Sequence, residues 1–293
     1  MNTILSISQQ ISRTTGQPFN PHTNQGTSGG CINQTMMLSD DERQFFVKIN
    51  RADLHHMFEA EAEGLAALES AQAFRIPKII CHGADADNAW LVLEYVPLGR
   101  SASRNYSDAG EKLALQHQVT QNTFGWHRDN TIGASPQPNN TEQNWTVFWK
   151  KHRLGYQLEL AASHGYHGKV ISRCEELIDR CGVLIDHKPS PSLLHGDLWS
   201  GNLSFDNFGV PVVYDPAVYY GDAEADLAMT ELFGGFGTDF YHAYNQVSPI
   251  DSGYRTRKKL YNLYHILNHM NLFGGSYQQQ SLQMAEQLLS ELK

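Results

Sequence analysis

The chain has 293 residues, 41% of them hydrophobic and 18% charged, with a formal net charge of −9. That length suits one large domain or two lobes sharing a cleft, and the composition is that of an ordinary folded protein, which excludes gross disorder. The acidic balance argues against a nucleic-acid binder, which neutralises phosphates with clustered Lys and Arg, and no apolar run is long enough to span a bilayer.

In chain order, residues 1–16 read as a polar amphipathic helix with Ile4, Ile7 and Ile11 on one face; they lack the basic start and small-residue cleavage site of a signal peptide. Residues 17–30, rich in Gly, Asn, Thr and Ser, read as a loop. Residues 31–38 and 44–50 look like two paired strands turning at Ser39-Asp40-Asp41. A helix follows over 55–70, with Phe58, Ala62, Leu65 and Leu68 as its apolar face. Residues 90–95 (WLVLEY) read as a buried strand. Pro97-Leu98-Gly99 then breaks the chain, which places a lobe boundary there, dividing 1–96 from 97–293. Beyond it, apolar spacing of three and four predicts helices over 112–126, 145–163, 169–185 and 254–273, with a surface loop at 133–144. Four cysteines, Cys31, Cys81, Cys174 and Cys181, lack metal-site spacing and are expected as reduced thiols in a cytoplasm.

The densest chemistry lies in the strand-loop-strand block LLHGDLWSGNLSFDNFGVPVVYDPA, residues 193–217. Asp197 follows His195-Gly196, Asn202 is five residues further on, and Asp215 ends the next apolar strand. Phosphoryl transfer from ATP needs a carboxylate to orient the attacking hydroxyl and take its proton, and converging oxygen ligands for magnesium. One Asp and one Asn on a tight loop, plus an Asp on the neighbouring strand, satisfy that need; a bland polar hairpin does not require the whole pattern. Lys48, in the apolar strand 45–49, gains meaning from the glutamates of the following helix, because a kinase holds its phosphate-binding lysine by an ion pair; Glu59, Glu61 and Glu63 are all candidates. The glycine-rich stretch 26–30, with Gly29 and Gly30, is placed to close over phosphates, although it is no Walker A motif. The adenine is expected against the segment joining the lobes, with backbone groups of Glu94, Tyr95 and Val96 as partners. Trp199, two residues from Asp197, is either a platform for a sugar or carbon chain or a core residue.

HGDLWSGN, followed by YDPAVYYGDAEADLAM, resembles the fructosamine kinase, or ketosamine-3-kinase, family, related to aminoglycoside and choline kinases and more distantly to protein kinases. The resemblance extends through Gly29-Gly30-Cys31-Ile32-Asn33, Phe46-Val47-Lys48, Phe58-Glu59-Ala60-Glu61, GWHRDNTIG from Gly125, Phe233-Gly234-Gly235-Phe236 and Leu267-Asn268-His269-Met270-Asn271. It implies an α+β, bilobal protein-kinase-like fold: an N-terminal antiparallel-sheet lobe with one helix and a larger, mainly helical C-terminal lobe. It further implies Asp197 as base, Asn202 and Asp215 as Mg²⁺ ligands, Glu61 as the partner of Lys48, and Trp199 and His269 as substrate contacts. Pro216-Ala217 follow Asp215 where protein kinases carry the rest of DFG, so a phenylalanine switch is not expected. The implied reaction phosphorylates the 3-hydroxyl of a ketosamine on an amine or protein lysine; the product is unstable and releases the amine. By the same resemblance Cys31 is a candidate for redox control through a disulfide between subunits, in a monomer or homodimer. A kinase of another small metabolite, of the aminoglycoside or choline type, and a regulatory nucleotide-binding pseudokinase are the alternatives; the joint presence of Lys48, Asp197, Asn202 and Asp215 speaks against the latter.

Overall fold

A computed structural model describes residues 3–26, 32–99 and 105–292. The chain divides into two compact units, residues 1–104 with 204–214, and residues 105–203 with 215–293. The first holds α1 (Thr3–Thr15), β1 (Thr23–Gly26), β2 (Gln34–Ser39), β3 (Gln44–Arg51), α2 (His55–Ser70), β4 (Ile79–Ala84) and β5 (Asn88–Glu94). Its strands form one antiparallel sheet in the order β1-β2-β3-β5-β4. Successive side chains of a strand face opposite ways. Along β3, Phe45, Val47 and Ile49 therefore share one face, where they meet Ile7, Ile11, Phe19, Leu38, Trp90 and Val92 in a common core. Ile7 and Ile11 are buried and Ile4 packs at the core's margin, so α1 uses the face its isoleucine spacing predicts. Trp90 Nε1 donates to Gln10 Oε1 at 2.6 Å and ties α1 to β5. Lys48, one step out of phase with the core residues, points to the opposite face.

The segment 17–30, expected as a loop, supplies β1. Its pairing with β2 is made by main-chain groups at a sheet edge, so its sequence needs no apolar alternation to form a strand. The strand expected from residue 31 starts at Gln34. Gly29, Gly30 and Cys31 lie outside the described residues.

The second unit begins with α3 (Tyr106–His117), then β6 (Asn130–Ile132), β7 (Ser135–Gln137), α4 (Trp145–Phe148), α5 (Tyr156–Ser163), α6 (Lys169–Arg180) and β8 (Ser192–Leu194). The chain next forms a hairpin, β9 (Leu203–Phe205) with β10 (Pro211–Val213), whose residues 204–214 belong to the first unit. There Arg75 holds it: its N–H donates to the Pro211 carbonyl, its own carbonyl accepts from Val213 N–H, and its guanidinium reaches Asp206 Oδ2 and, at 2.9 Å, Glu94 Oε1. The second unit resumes with β11 (Tyr219–Gly221), which pairs antiparallel with β8, and ends in α7 (Ala223–Leu232), α8 (Thr238–Val247), α9 (Tyr254–Phe273) and α10 (Ser276–Glu291).

Here the helix limits depart from periodicity where tertiary bonds intervene. The helix expected over 112–126 runs instead from Tyr106 to His117, because the Asn105 side chain accepts from Asp108 N–H and caps an earlier start. After His117 the chain is extended, with Phe124 bonded to Glu142 and Gly125, at φ +105°, bonded to Tyr220. The run expected over 145–163 is helical but widens into a π segment at Trp149–Gly155. Arg153 in that segment is fully buried, donates to Pro138 O and Asn139 Oδ1, and lies 3.9 Å from the Tyr219 ring centroid. The run expected over 169–185 stops at Arg180 and continues as a 3₁₀ turn, whereas α9 spans its expected residues. Cys81, Cys174 and Cys181 are free and buried. Among the described residues no helix is long and apolar enough to cross a membrane.

Close approach of α3 to α8 depends on Gly110, where a Cβ would stand 2.0 Å from the Phe240 carbonyl oxygen. Gly110→Ala is therefore expected to lower unfolding free energy by about 1–3 kcal/mol, the range for overpacking, read as a lower denaturant midpoint at unchanged slope. On α9, burial pushes the His265 pKa down to about 3, with the His269 charge acting in the same direction. The unfolded chain takes up a proton at this residue near the ordinary histidine value of about 6.5 while the folded chain does not. The stability it contributes is thus present above that pH and is lost as pH falls towards the folded value. Urea melts at pH 7.5 and 5 are expected to show a smaller acid loss for His265→Leu than for the parent.

Candidate active site

Strand β8 delivers the chain into the loop His195–Asn202, and the site is built on how that loop is held. Gly196 has φ +84°, and a Cβ there would lie 2.0 Å from the Ala217 carbonyl oxygen, so only glycine fits. Its fixing point is Asp226 in the first turn of α7, whose carboxylate accepts from His195 N–H at 2.6 Å and from Gly196 N–H at 2.8 Å. His117 Nε2 lies 3.3 Å from the same carboxylate, and its Nδ1 lies 2.8 Å from the Tyr244 hydroxyl. Burial raises the Asp226 pKa, but the His117 hydrogen bond, the charges of His117 and His195, and the Gly196 N–H outweigh it and hold the group below the usual carboxylate range. Sequence reasoning missed this residue. Its signal was present, an acid set among Ala225, Leu227, Ala228 and Met229, all buried.

Above that anchor, Asn202 Nδ2 donates to Asp197 O at 2.8 Å and Oδ2 at 3.2 Å, and reaches Asp215 O at 3.5 Å. Asp215 sits at φ +57°, a left-handed conformation rare for a non-glycine residue and found where surrounding structure enforces it. Asp197 is pushed up to about 7, first by burial and then by the negative charge of Asp215, against the opposing Asn202 hydrogen bond. The three residues expected to work together are thus together. Two crowded carboxylates and an amide whose nitrogen is engaged, leaving its oxygen as donor atom, form a hard oxygen set that suits a divalent cation such as Mg²⁺.

Trp199 O accepts from Asn202 N–H, closing the loop, and its ring lies over Gly201, where a Cβ would be 2.3 Å from the indole. The residue is 36% exposed, and its ring meets Phe233 edge-on at 5.8 Å between centroids. Phe233 in turn meets His269 at 5.2 Å, and His269 meets Tyr277 at 5.0 Å. The two residues singled out for substrate contact therefore belong to one aromatic cluster, joined through Phe233. Burial lowers the His269 pKa, opposed by the hydrogen bond to the His265 carbonyl. Since that carbonyl can only accept, Nδ1 carries the proton and Nε2 is the acceptor of the neutral ring. Trp145 is a core residue, donating to the Tyr261 hydroxyl.

In the first unit, buried Lys48 pairs with Glu61 of α2, which separates Glu61 from the other candidates: Glu59 faces His55. The Glu94 amide donates to the Lys78 carbonyl, and its carboxylate pairs with Arg75. Tyr95 and Val96 follow the last paired residue of β5.

A family model described as fructosamine kinase matches residues 3–291. A probable ketoamine kinase of Synechocystis sp. is 50% identical over 97% of this chain and 96% of its own. A chloroplastic protein-ribulosamine 3-kinase of Arabidopsis thaliana is 40% identical over 90% of this chain and 82% of its own. The crystal structure of a putative fructosamine-3-kinase from Haemophilus somnus superposes with a TM-score of 0.89 at 30% identity, covering 97% of this chain and 96% of that one. The fold is that of the protein-kinase-like phosphotransferases, with an antiparallel sheet in the N-terminal part and a mostly helical C-terminal part.

Replacing Asp226 by alanine strands two buried amides, each costing roughly 1–3 kcal/mol. Asp226→Ala is expected to melt earlier by that order. Asp226→Asn, which keeps one acceptor, is expected to fold yet lose about 10²-fold in kcat, because a 1 Å displacement of a catalytic group costs that much.

Proposed function

The chain belongs to the fructosamine kinase family, and on that premise we propose that it transfers the terminal phosphoryl group of ATP to the 3-hydroxyl of a ketosamine, a ribulosamine or fructosamine carried on an amine or a protein lysine. The observation that carries this reading is the hydrogen-bonded cluster in which Asn202 links Asp197 to the backbone of Asp215, beside the Trp199–Phe233–His269 rings. The names of the ketoamine and ribulosamine kinases among its relatives support the same acceptor class.

Asp197 orients the sugar hydroxyl and takes its proton as the oxygen attacks. Asn202 and Asp215 hold Mg²⁺, which when bound supplies positive charge to the phosphate oxygens. Lys48, steadied by Glu61, binds phosphate oxygens, and the backbone at Glu94, Tyr95 and Val96 frames the adenine. Trp199 offers its exposed ring to the apolar side of the sugar, and His269 offers Nε2 to a sugar hydroxyl. Residues 1–96 serve the nucleotide and residues 97–293 the acceptor. The 3-phosphate then decomposes and frees the amine, so the net outcome is deglycation. Buried free thiols at Cys81, Cys174 and Cys181 are in keeping with action in a reducing cytoplasm.

Purified protein with ATP and Mg²⁺ is expected to phosphorylate ribulosyl-lysine or fructosyl-lysine, with the phosphate located at O-3 by NMR. Asp197→Asn is expected to lower kcat by roughly 10²–10⁴-fold, the usual worth of a general base. Trp199→Ala is expected to raise KM more than it lowers kcat. Turnover on choline or an aminoglycoside with none on ketosamines would overturn the acceptor assignment.

A further inference from the structure

A second cluster of ligand-type side chains lies in the first unit and takes no part in the reaction. His55 and Glu59 stand one helical turn apart on α2, so they share a face, with His55 Nδ1 3.6 Å from Glu59 Oε1. His82, on β4, turns Nδ1 towards His55 Nε2 at 3.4 Å, with ring centroids 5.5 Å apart. One ligand atom from each of the three lies within 4.8 Å of the others, and all three side chains are half-buried. Among the described residues one other trio meets this spacing, His187, Asp222 and Glu224, and its two carboxylates are taken up by Arg257 and Tyr261. Arg257 donates to both Glu224 oxygens, and Asp222 Oδ2 receives the Tyr261 hydroxyl and faces His187 at 2.8 Å.

We propose that His55, Glu59 and His82 form a site for a divalent transition-metal cation of the zinc type, and that the bound ion clamps α2 to β4. Two imidazoles and one carboxylate are a borderline donor set that suits Zn²⁺ and disfavours Mg²⁺, which prefers oxygen. Zinc sites of this composition leave the fourth position to water, and the half-exposed setting here gives water access. Tetrahedral ligand bonds of about 2.0–2.2 Å put the ligand atoms about 3.4 Å apart, so atoms already within 4.8 Å of one another have about 1.4 Å at most to close. Because Glu61 lies on the same helix, two residues beyond Glu59, the clamp steadies the element that carries the partner of Lys48.

The test uses untagged full-length protein, stripped by chelator and kept in excess Mg²⁺ so that the oxygen donors of Asp197 and Asp215 are occupied. Zn²⁺ titrated calorimetrically is expected to fill one site per chain, and His55→Ala, His82→Ala and Glu59→Gln are each expected to weaken it at least about 10-fold, the lower end of what disturbing a metal site costs. Melting should show a Zn²⁺-dependent rise in Tm for the parent, since free metal at 100-fold over Kd shifts the folding equilibrium by about 100-fold, and little rise in the variants. Metal-free melts report whether each variant is folded, and Glu59→Gln, the mildest change, decides the matter if an alanine variant is not. Absence of a single site in the parent, or equal affinity and equal Tm response in folded variants, overturns the proposal.

Discussion

A carboxylate sealed inside the helical unit sets the geometry of the loop that carries Asp197. Asp226 grips two successive backbone amides, those of His195 and Gly196, so the next residue, Asp197, leaves its peptide from a fixed position. A buried acid is tolerable only when its oxygens are satisfied, and here the two amides and His117 do so. Gly196 completes the arrangement by letting the loop lie against the Ala217 carbonyl, which orders the stretch just beyond Asp215. Asp197 and Asp215 repel one another, and the loop brings them together nonetheless. The cost of that crowding is met by packing below the pair, which is why the anchor lies in the core and the two crowded carboxylates lie above it.

The sheet unit solves a similar problem with alternation in place of an anchor. Phe45, Val47 and Ile49 commit one face of β3 to the core beneath α1, and Lys48 is thereby aimed at α2. A lysine this buried requires a partner, and Glu61 supplies it. A register slip of one residue would reverse both assignments together, so the hydrophobic pattern of β3 fixes the aim of Lys48 as firmly as any contact to it.

These two cases mark what the sequence makes legible. The amphipathic spacing of α1 and the continuous apolar strand β5 carry their information locally, and α9 runs over its expected residues for the same reason. The Asp197–Asn202–Asp215 cluster was readable because loop and strand are adjacent in sequence. Other features are written in distant residues. β1 is polar and exists through pairing with β2. Just past the end of α3 the chain is bonded to distant residues, the Val119 carbonyl accepting from Leu193 N–H and Gln121 N–H donating to the Pro191 carbonyl. The π segment surrounds Arg153, whose partners, Pro138, Asn139 and Tyr219, come from two separate stretches. Periodicity does not encode such partners, and it gave Asp226 no role because an acid on a helix is usually solvated.

The hairpin held by Arg75 bears on how the chain is made. The sheet unit is discontinuous: its last pieces, the Asp206 carboxylate and the backbone of Pro211 and Val213, are translated some way after Arg75 itself. A nascent chain that has emerged only as far as residue 104 offers Arg75 the Glu94 carboxylate but neither the Asp206 carboxylate nor the Pro211 carbonyl, so this unit cannot finish folding as its own residues leave the ribosome. It must wait for roughly half of the helical unit to be synthesised, which couples the maturation of the two units through the order of the polypeptide alone.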